Sequence, residues 1–496
     1  MPRIAIIGGG ISGLSAAFTL EEKRQFGAQS DTHSERKIEY VLFESAPRLG
    51  GVMVTDRADG CLIEAGPDSF ISEKPWAADL CRKVGLGDQL IGSNDADRKT
   101  YIVVPRKGDR KKDDHKNGRD RLVVMPDGLM FMVPTKILPT VFSPLFSLRT
   151  KMRMAAEWFH PPHKADADET VAQMVERHYG SEMVDLLADP LLSGVYGGEA
   201  TDLSVRAVLP RFADMESKHG SLGRAMLRSR KEARRKMATA AKAPPRPLFT
   251  SLKEGMQQMV DALVAHLDPA SLRTFSPVQS LIPQDNGWTV SFGYGTDHFD
   301  AVIIAAPARA AATVLQATDA DLAAELAAIN YSSSITVTLG YDEEVRRTLP
   351  PGFGFLVPRS AGHRMLAATF VHNKFPHRAP ENRAIVRCFL GGARDEEILR
   401  SSEEEIMAIV RRELSQIINL RAEPLFSRVY KWKAAMAQYS VGHLERLERI
   451  KALCEKFPGL ALAGNGFNGI GVPDCVRSGT EAATKILSQM GLWSAA

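Results

Sequence analysis

Gly8, Gly10 and Gly13 set a G-x-G-x-x-G spacing between an apolar run, 3–7, and a segment with Leu14, Ala17, Phe18 and Leu20 at helical spacing. That pattern can cradle a pyrophosphate. Gly8 permits a tight turn, Gly10 lets the phosphates approach the backbone, and Gly13 lets helix and strand pack closely. The helix N-terminus adds unpaired N–H groups and a positive dipole end. Glu44 ends a second apolar run, 40–43, where its carboxylate can accept ribose hydroxyls. Gly13 and Glu44 lie 31 positions apart rather than about 20, and a polar insertion within 25–37 accounts for the excess. Arg48, Gly50 and Gly51 follow in a second glycine turn. Near the C-terminus, Gly464 follows an apolar run, and Gly469-Ile470-Gly471-Val472-Pro473 leads into a helix through Asp474. Both ends of the chain thus serve one site.

These groups need a scaffold. The N-terminal segment reads as a strand-helix-strand unit, with a strand at 3–7, a helix at 11–23 and a strand at 40–43. Strands are expected at 101–104 and 122–125, flanking a charged loop at 105–121. The stretch 129–158 is apolar and broken by prolines, with helix onward to about 192. Strand patterns at 272–278, 288–292 and 301–305 precede a helical, Ala-rich 308–328. Further strands fall at 334–341, 365–370 and 384–390, a helix at 403–418, and strand-turn-helix over 460–487.

A chain of 496 residues suggests about three domains. With 44% hydrophobic and 25% charged residues it is globular. The net charge of +4 is local: 106–121 carries +4 and 224–246 carries +8, leaving −8 elsewhere. That distribution argues against nucleic acid as a partner. Five scattered cysteines suit neither a disulfide framework nor zinc. The N-terminus lacks a signal peptide's pattern, because its apolar run breaks at Gly8. No Ser-His-Asp set and no metal-ligand spacing is evident. His160, His163, His372 and His377 read as surface or structural.

The Arg48–Gly51 stretch resembles the flavin amine oxidase superfamily. More specific stretches are similar to the FAD-dependent protoporphyrinogen and coproporphyrinogen oxidases: 63–70 (IEAGPDSF), 193–198 (SGVYGG), 353–358 (FGFLVP), 375–380 (FPHRAP), 391–392, 437–439, 442–443 and 474–479. The resemblance spans residues 4–485 and implies an α/β, α+β overall, architecture. Its expected parts are a doubly wound FAD-binding domain (1–88, 246–310, 434–496), a helical membrane-binding domain (89–225) and a mixed-sheet substrate domain (226–245, 311–433). It implies FAD contacts at Gly8, Gly10, Gly13, Glu44, Arg48, Gly50, Gly51, Gly66, Val278, Trp432, Gly464, Ile470, Gly471 and Val472. Gly194, Gly354, Leu356 and Phe389 would line a tetrapyrrole slot, with Arg98, or the adjacent Lys99, on a propionate. Asp68 is a candidate polar group between flavin and substrate.

The implied reaction takes six electrons from protoporphyrinogen in three hydride transfers, with molecular oxygen reduced to hydrogen peroxide. Coproporphyrinogen is the alternative substrate, and an amine or carotenoid oxidase or a non-catalytic FAD-bound scaffold are further readings. The family also implies a cytoplasmic protein held peripherally at the inner face of the cell membrane, and allows a homodimer. Phe131, Met132, Ile137, Leu138, Val141, Phe142, Leu145, Phe146 and Leu148, bordered by Arg149, Lys151 and Arg153, form either a lipid-facing surface or a helical core.

Overall fold

The structure is a computed structural model that describes residues 1–29, 38–105, 120–126, 128–130, 133–134, 137–163, 167–239, 246–293 and 295–492. Phe131 and Met132, most of the charged loop at 105–121, and residues 30–37 and 240–245 lie outside them, as do the side chains of Ile137 and Leu138.

Five parallel strands form one sheet in the order Leu272–Arg273, Glu39–Phe43, Arg3–Ile7, Ala301–Ile304, Leu460–Leu462. Short apolar runs without polar alternation belong in a sheet covered on both faces. Ile4, Ile6, Leu42 and Ile303 pack under helices Ile11–Gln29, Gln257–Ala265 and Val472–Gln489. Ala5, Ile7, Phe43 and Ile304 face the opposite way, toward Trp288, Val290 and Phe299 of an antiparallel meander, Val278–Gln284, Gly287–Phe292 and Gly295–Phe299. The apolar run 272–278 is therefore split. Its start joins the parallel sheet and its end opens the meander. The helical stretch 308–328 is also split, into Ala308–Leu315 and Ala320–Ala327, because the Asp319 side chain caps the second helix through Leu322 N.

A second sheet has seven strands in the order Phe426–Ala437, Tyr331–Asp342, Arg383–Gly391, Met365–Phe370, Gly354–Leu356, Thr100–Val104, Arg121–Val124. The register aligns side chains in rows across it. One row runs Tyr430, Thr336, Phe389, Ala367, Leu356, Ile102. The next runs Arg428, Thr338, Arg387, Thr369, Gly354, Thr100. Alternate residues such as Val337, Cys388 and Phe355 face away, against helix Glu403–Ile418. The strand Phe426–Ala437 is a partly exposed edge that alternates only over a short stretch, with Lys431 and Lys433 outward between Tyr430, Trp432 and Ala434.

The helical part centres on Val171, Met174, Leu187, Leu192 and Leu203. Several expected boundaries differ from this topology: helices Ala308–Leu315 and Ala320–Ala327 pack with the parallel sheet and the meander rather than the substrate domain, and 434–437 complete a strand of the seven-stranded sheet rather than the FAD-binding domain. Strands Thr100–Val104 and Arg121–Val124 pair into the seven-stranded sheet rather than the helical part. Helix Leu222–Thr239 packs on Pro210–His219, with the helices rather than the sheet. No helix among the described residues is long and apolar enough to cross a membrane.

Candidate functional site

Loops at the carboxyl ends of the parallel strands converge, which is where open α/β sheets bind ligands. Gly8 N donates to Phe43 O (2.8 Å), Ala305 N to Ile7 O (2.8 Å) and Ala463 N to Ile304 O (2.8 Å). Gly8 takes φ +108°, and a Cβ on Gly13 would stand 1.8 Å from Gly8 O, so helix Ile11–Gln29 closes tightly on its strand. Gly10 differs: a Cβ there would meet no atom within 4 Å. Glu44 ties the loop down, Oε2 accepting from Gly9 N and Oε1 from Ala46 N, both at 2.7 Å. Gly50 N donates to Gly9 O (2.7 Å), which sets the second glycine turn, with Gly51, beside Gly10. The Arg48 guanidinium donates to the carbonyls of Leu49 (2.9 Å) and Gly51. Val278 starts the meander just beyond Ser276, whose N–H donates to Glu44 O (2.8 Å).

The C-terminal helix Val472–Gln489 brings a second N-terminus to the same place. A Cβ on its Gly479 would sit 2.0 Å from Ser12 O, so the two helices touch backbone to backbone. Gly471 at its N-cap offers no side-chain cap. Tyr439, whose role sequence reasoning missed, fixes the preceding turn: its hydroxyl donates to Asn465 O (2.7 Å) and accepts from Gly469 N (2.8 Å). Gly464 N donates to Ser478 Oγ (3.1 Å). Open space before Gly10 and two converging helix N-termini fit a dinucleotide pyrophosphate.

The seven-stranded sheet presents its face to this region. Ala65 O accepts from Trp432 Nε1 (2.8 Å) and Thr336 Oγ1 (2.7 Å), and the Arg387 guanidinium donates to Gly66 O. Trp432, Phe389, Leu356 and Gly354 therefore share one face, on which the Ala65–Gly66 segment is docked. Gly194, on helix Asp189–Tyr196, lies over strands Gly354–Leu356 and Met365–Phe370, with no atom within 4 Å of where its Cβ would be. Leu356 and Ile470 both pack at the edge of the helical core. Arg98 is exposed and makes no side-chain hydrogen bond or ion pair among the described residues, whereas Lys99 Nζ lies 3.9 Å from Asp97. On either side of Arg98, Lys99 O accepts from Phe353 N (2.8 Å) and Asp97 Oδ2 from Gly352 N (3.1 Å), which ties this segment to the strand that starts at Gly354.

Asp68 is paired, with Lys374 Nζ at 2.9 and 3.1 Å and Ser69 Oγ at 2.6 Å. Burial alone would raise its pKa, but the charges of Lys374 and Arg387 and the Ser69 hydrogen bond hold it well below the usual carboxylate range. It is a fixed counter-charge and a poor proton acceptor. Glu64 bonds the buried Arg378, whose Nη2 also donates to Ser251 Oγ (2.6 Å). Neither arginine stood out in the sequence as a site residue, although Arg378 lies inside the FPHRAP stretch.

A separate cluster ties the helical part together. Buried His178 places Nδ1 3.2 Å from Glu157 and Nε2 2.8 Å from Glu216, while Glu157 also accepts from Leu222 N (2.6 Å). His160 stacks on His178 at 4.4 Å and 26°. Near-parallel rings do not aim two nitrogens at one ion, and Glu216 already accepts from Arg177, so the group is an ion network.

A family profile described as flavin containing amine oxidoreductase matches residues 11–487. The chain is 33% identical to the coproporphyrinogen III oxidase of Bacillus subtilis (strain 168), over 98% of both chains. It is 26% identical to protoporphyrinogen oxidase 2, chloroplastic/mitochondrial, of Arabidopsis thaliana, over 98% of this chain and 94% of that one. A crystal structure from Exiguobacterium sp. 255-15, put forward as a protoporphyrinogen oxidase, superposes with TM-score 0.83 at 27% identity, over 99% of each chain. The fold alone is shared with cyclohexylamine oxidase from Brevibacterium oxydans IH-35A (TM-score 0.66, 16% identity, 99% of each chain). The cofactor of this family is FAD, and the chain belongs to the flavin-containing amine oxidoreductases, within them to the FAD-dependent porphyrinogen oxidases of haem biosynthesis.

Proposed function

We propose that this chain oxidises coproporphyrinogen III to coproporphyrin III, with molecular oxygen as the acceptor. The observation that carries the reading is the single sheet face holding Trp432, Phe389, Leu356 and Gly354 beside the Ala65–Gly66 segment and the C-terminal glycine turn. The name of the Bacillus relative favours four propionates over two. A second reading, protoporphyrinogen IX, is favoured by an apolar surface: Phe142 and Phe159 are 80% and 81% exposed, with Leu148 and Met152 also outward. Leu145 and Phe146 are buried core, so that stretch divides between both expected roles.

FAD held by these residues would supply the hydride acceptor, with molecular oxygen as the final oxidant of three two-electron oxidations and hydrogen peroxide as its product. The protein's part is geometry. Phe389 and Leu356 hold the macrocycle's apolar faces, and Gly354 and Gly194 let its rings approach backbone. Arg98, without a side-chain partner among the described residues, takes a propionate at the rim. Trp432, Gly66, Ile470, Gly471 and Val472 orient the isoalloxazine, and Val278, Arg48, Gly50, Gly51 and Gly464 hold the rest of the cofactor. The domains follow the sheets: the parallel sheet with its meander binds FAD, and the seven-stranded sheet, including 100–104 and 121–124, binds substrate. The helices of 137–239 complete the slot and rest on a membrane surface.

Turnover of the two porphyrinogens side by side, read as porphyrin fluorescence and peroxide, tests the assignment. A preference of kcat/KM for coproporphyrinogen is expected, and equal or reversed preference overturns it. Arg98→Ala should raise KM by about tenfold with FAD retained, the size of one charge-assisted hydrogen bond. Loss of FAD in that variant would misplace Arg98. Phe142→Ser combined with Phe159→Ser should weaken binding to anionic lipid vesicles by at least about tenfold, and no binding by the unaltered protein would remove the membrane role.

A further inference from the structure

Five ionisable side chains are gathered under the Ala65–Gly66 segment: Glu64, Asp68, Lys374, Arg378 and Arg387. Arg378 pairs with Glu64 and Lys374 with Asp68. Arg387 pairs with neither. Its side chain is nearly sealed, 3% exposed, and its guanidinium reaches only the carbonyls of Ala65 (3.4 Å) and Gly66. Its Nε has no hydrogen-bond partner, and no carboxylate stands within 4.0 Å of it among the described residues. The cluster carries one positive charge in excess.

A buried charge without an opposite charge is costly, and a protein keeps one where something else neutralises it. Burial depresses the Arg387 pKa from its ordinary value, with Asp68 and Glu64 pulling the other way, but it starts so high that the group stays charged. The neighbours that face it are Phe389 on its own strand (guanidinium 4.9 Å from the ring), Tyr430 two strands away, and the Ala65–Gly66 backbone. That backbone also receives Trp432 Nε1 and Thr336 Oγ1.

We propose that Arg387 is a positioning charge for the flavin: the surplus positive charge of its cluster stabilises the negative charge that the isoalloxazine gains on two-electron reduction, and so raises the cofactor's reduction potential. The inference rests on the flavin lying against Ala65–Gly66 and Trp432, as proposed above. A substrate carboxylate is the other anion that a lone guanidinium can neutralise, and the experiment separates the two.

Sulfite is the probe. It adds its lone pair to N5 of oxidised flavin, and the S–N bond leaves the added negative charge on the N1–C2 carbonyl side, so its affinity reports positive charge there without any turnover. Arg387→Met, which keeps length and apolar packing, should weaken sulfite binding at least tenfold and lower the two-electron midpoint potential. A tenfold change in the preference for reduced over oxidised FAD corresponds to about 30 mV. Arg387→Lys should stay close to the unaltered protein, because it keeps the charge. Asp68→Asn removes a negative charge from the same cluster and should tighten sulfite binding and raise the potential.

Unchanged sulfite affinity and potential in FAD-loaded Arg387→Met overturn the proposal. So does a variant that loses only porphyrin binding, which would give Arg387 to a substrate carboxylate. Should Arg387→Met fail to hold FAD, the opposite-signed Asp68→Asn decides, and weaker or unchanged sulfite binding there overturns it. A wild-type chain that binds no FAD would defeat the flavin reading itself, a distinct outcome from FAD bound but indifferent to Arg387.

Discussion

Gly10→Val yields a folded but colourless protein. A Cβ at Gly10 points into open space, and Gly10 does not take positive φ, so the apoprotein is expected to accept the substitution. The same space is where a pyrophosphate must reach the N–H groups at the start of helix Ile11–Gln29. Losing two charge-assisted hydrogen bonds at about 1.5–3 kcal/mol each weakens FAD binding by about 100-fold or more. The check is the ratio of FAD to purified protein, together with a melting temperature equal to that of flavin-stripped wild type. Gly13→Val gives the opposite pairing, because its Cβ would lie 1.8 Å from Gly8 O. That contact joins helix to strand, so the variant fails to fold whether or not flavin is present. If Gly10→Val copurifies with stoichiometric FAD, the glycine loop is not the phosphate cradle.

The second large effect lies in the helical part. His178→Phe preserves the stacking with His160 but removes the cation that Glu157 and Glu216 share, leaving Glu157 buried without one among the described residues. Breaking a buried pair by removing one partner costs about 3–5 kcal/mol. Arg177 still reaches Glu216 (2.8 Å), which places the larger loss at Glu157 and at the helix start Leu222 that it caps. The pH dependence follows. Burial would lower the His178 pKa, but hydrogen bonds and charge from Glu157 and Glu216 raise it above the ordinary 6.5. Its contribution is therefore fully present below 6.5 and lost as pH rises through the raised folded value. Burial would raise Glu157 and Glu216, but His178 chiefly holds both below 4.5. Their contribution is present above 4.5 and lost as pH falls through the lowered values. Resistance of the helical part to denaturant and protease should thus peak between pH 4.5 and 6.5 and decline above. In His178→Phe the decline on the alkaline side should vanish along with the stability. An alkaline decline that persists in the variant would assign the effect to other groups.

What proved legible was local. Gly8, Gly10, Gly13 and Glu44 obey a rule with a short-range cause, a tight turn feeding a helix N-terminus, and the structure shows Glu44 gripping that turn. The insertion before Glu44 lengthens the helix to Gln29 and leaves the turn alone. The strand at Met365–Phe370 and the helix at Glu403–Ile418 match their patterns to the residue, the helix because Ser402 and Glu405 form a capping box. Phe426–Ala437 escaped notice because its alternation is confined to Tyr430-Lys431-Trp432-Lys433, too short a pattern in an edge strand that is half-buried almost throughout.

The sequence by itself determined two glycine turns near opposite ends of the chain, since each turn is specified by its own few residues, and the fold brings both to the carboxyl ends of one parallel sheet. Tertiary structure alone decided which charges meet. Lys374 finds Asp68 across 306 positions and Arg378 finds Glu64 across 314, while Arg387, from the same strand region, is left unpaired. Ion pairing has no sequence period: a guanidinium bonds whatever carboxylate the packing of two sheets brings within a few ångströms, and only the folded register of Arg383–Gly391 against the Ala65–Gly66 backbone fixes that choice.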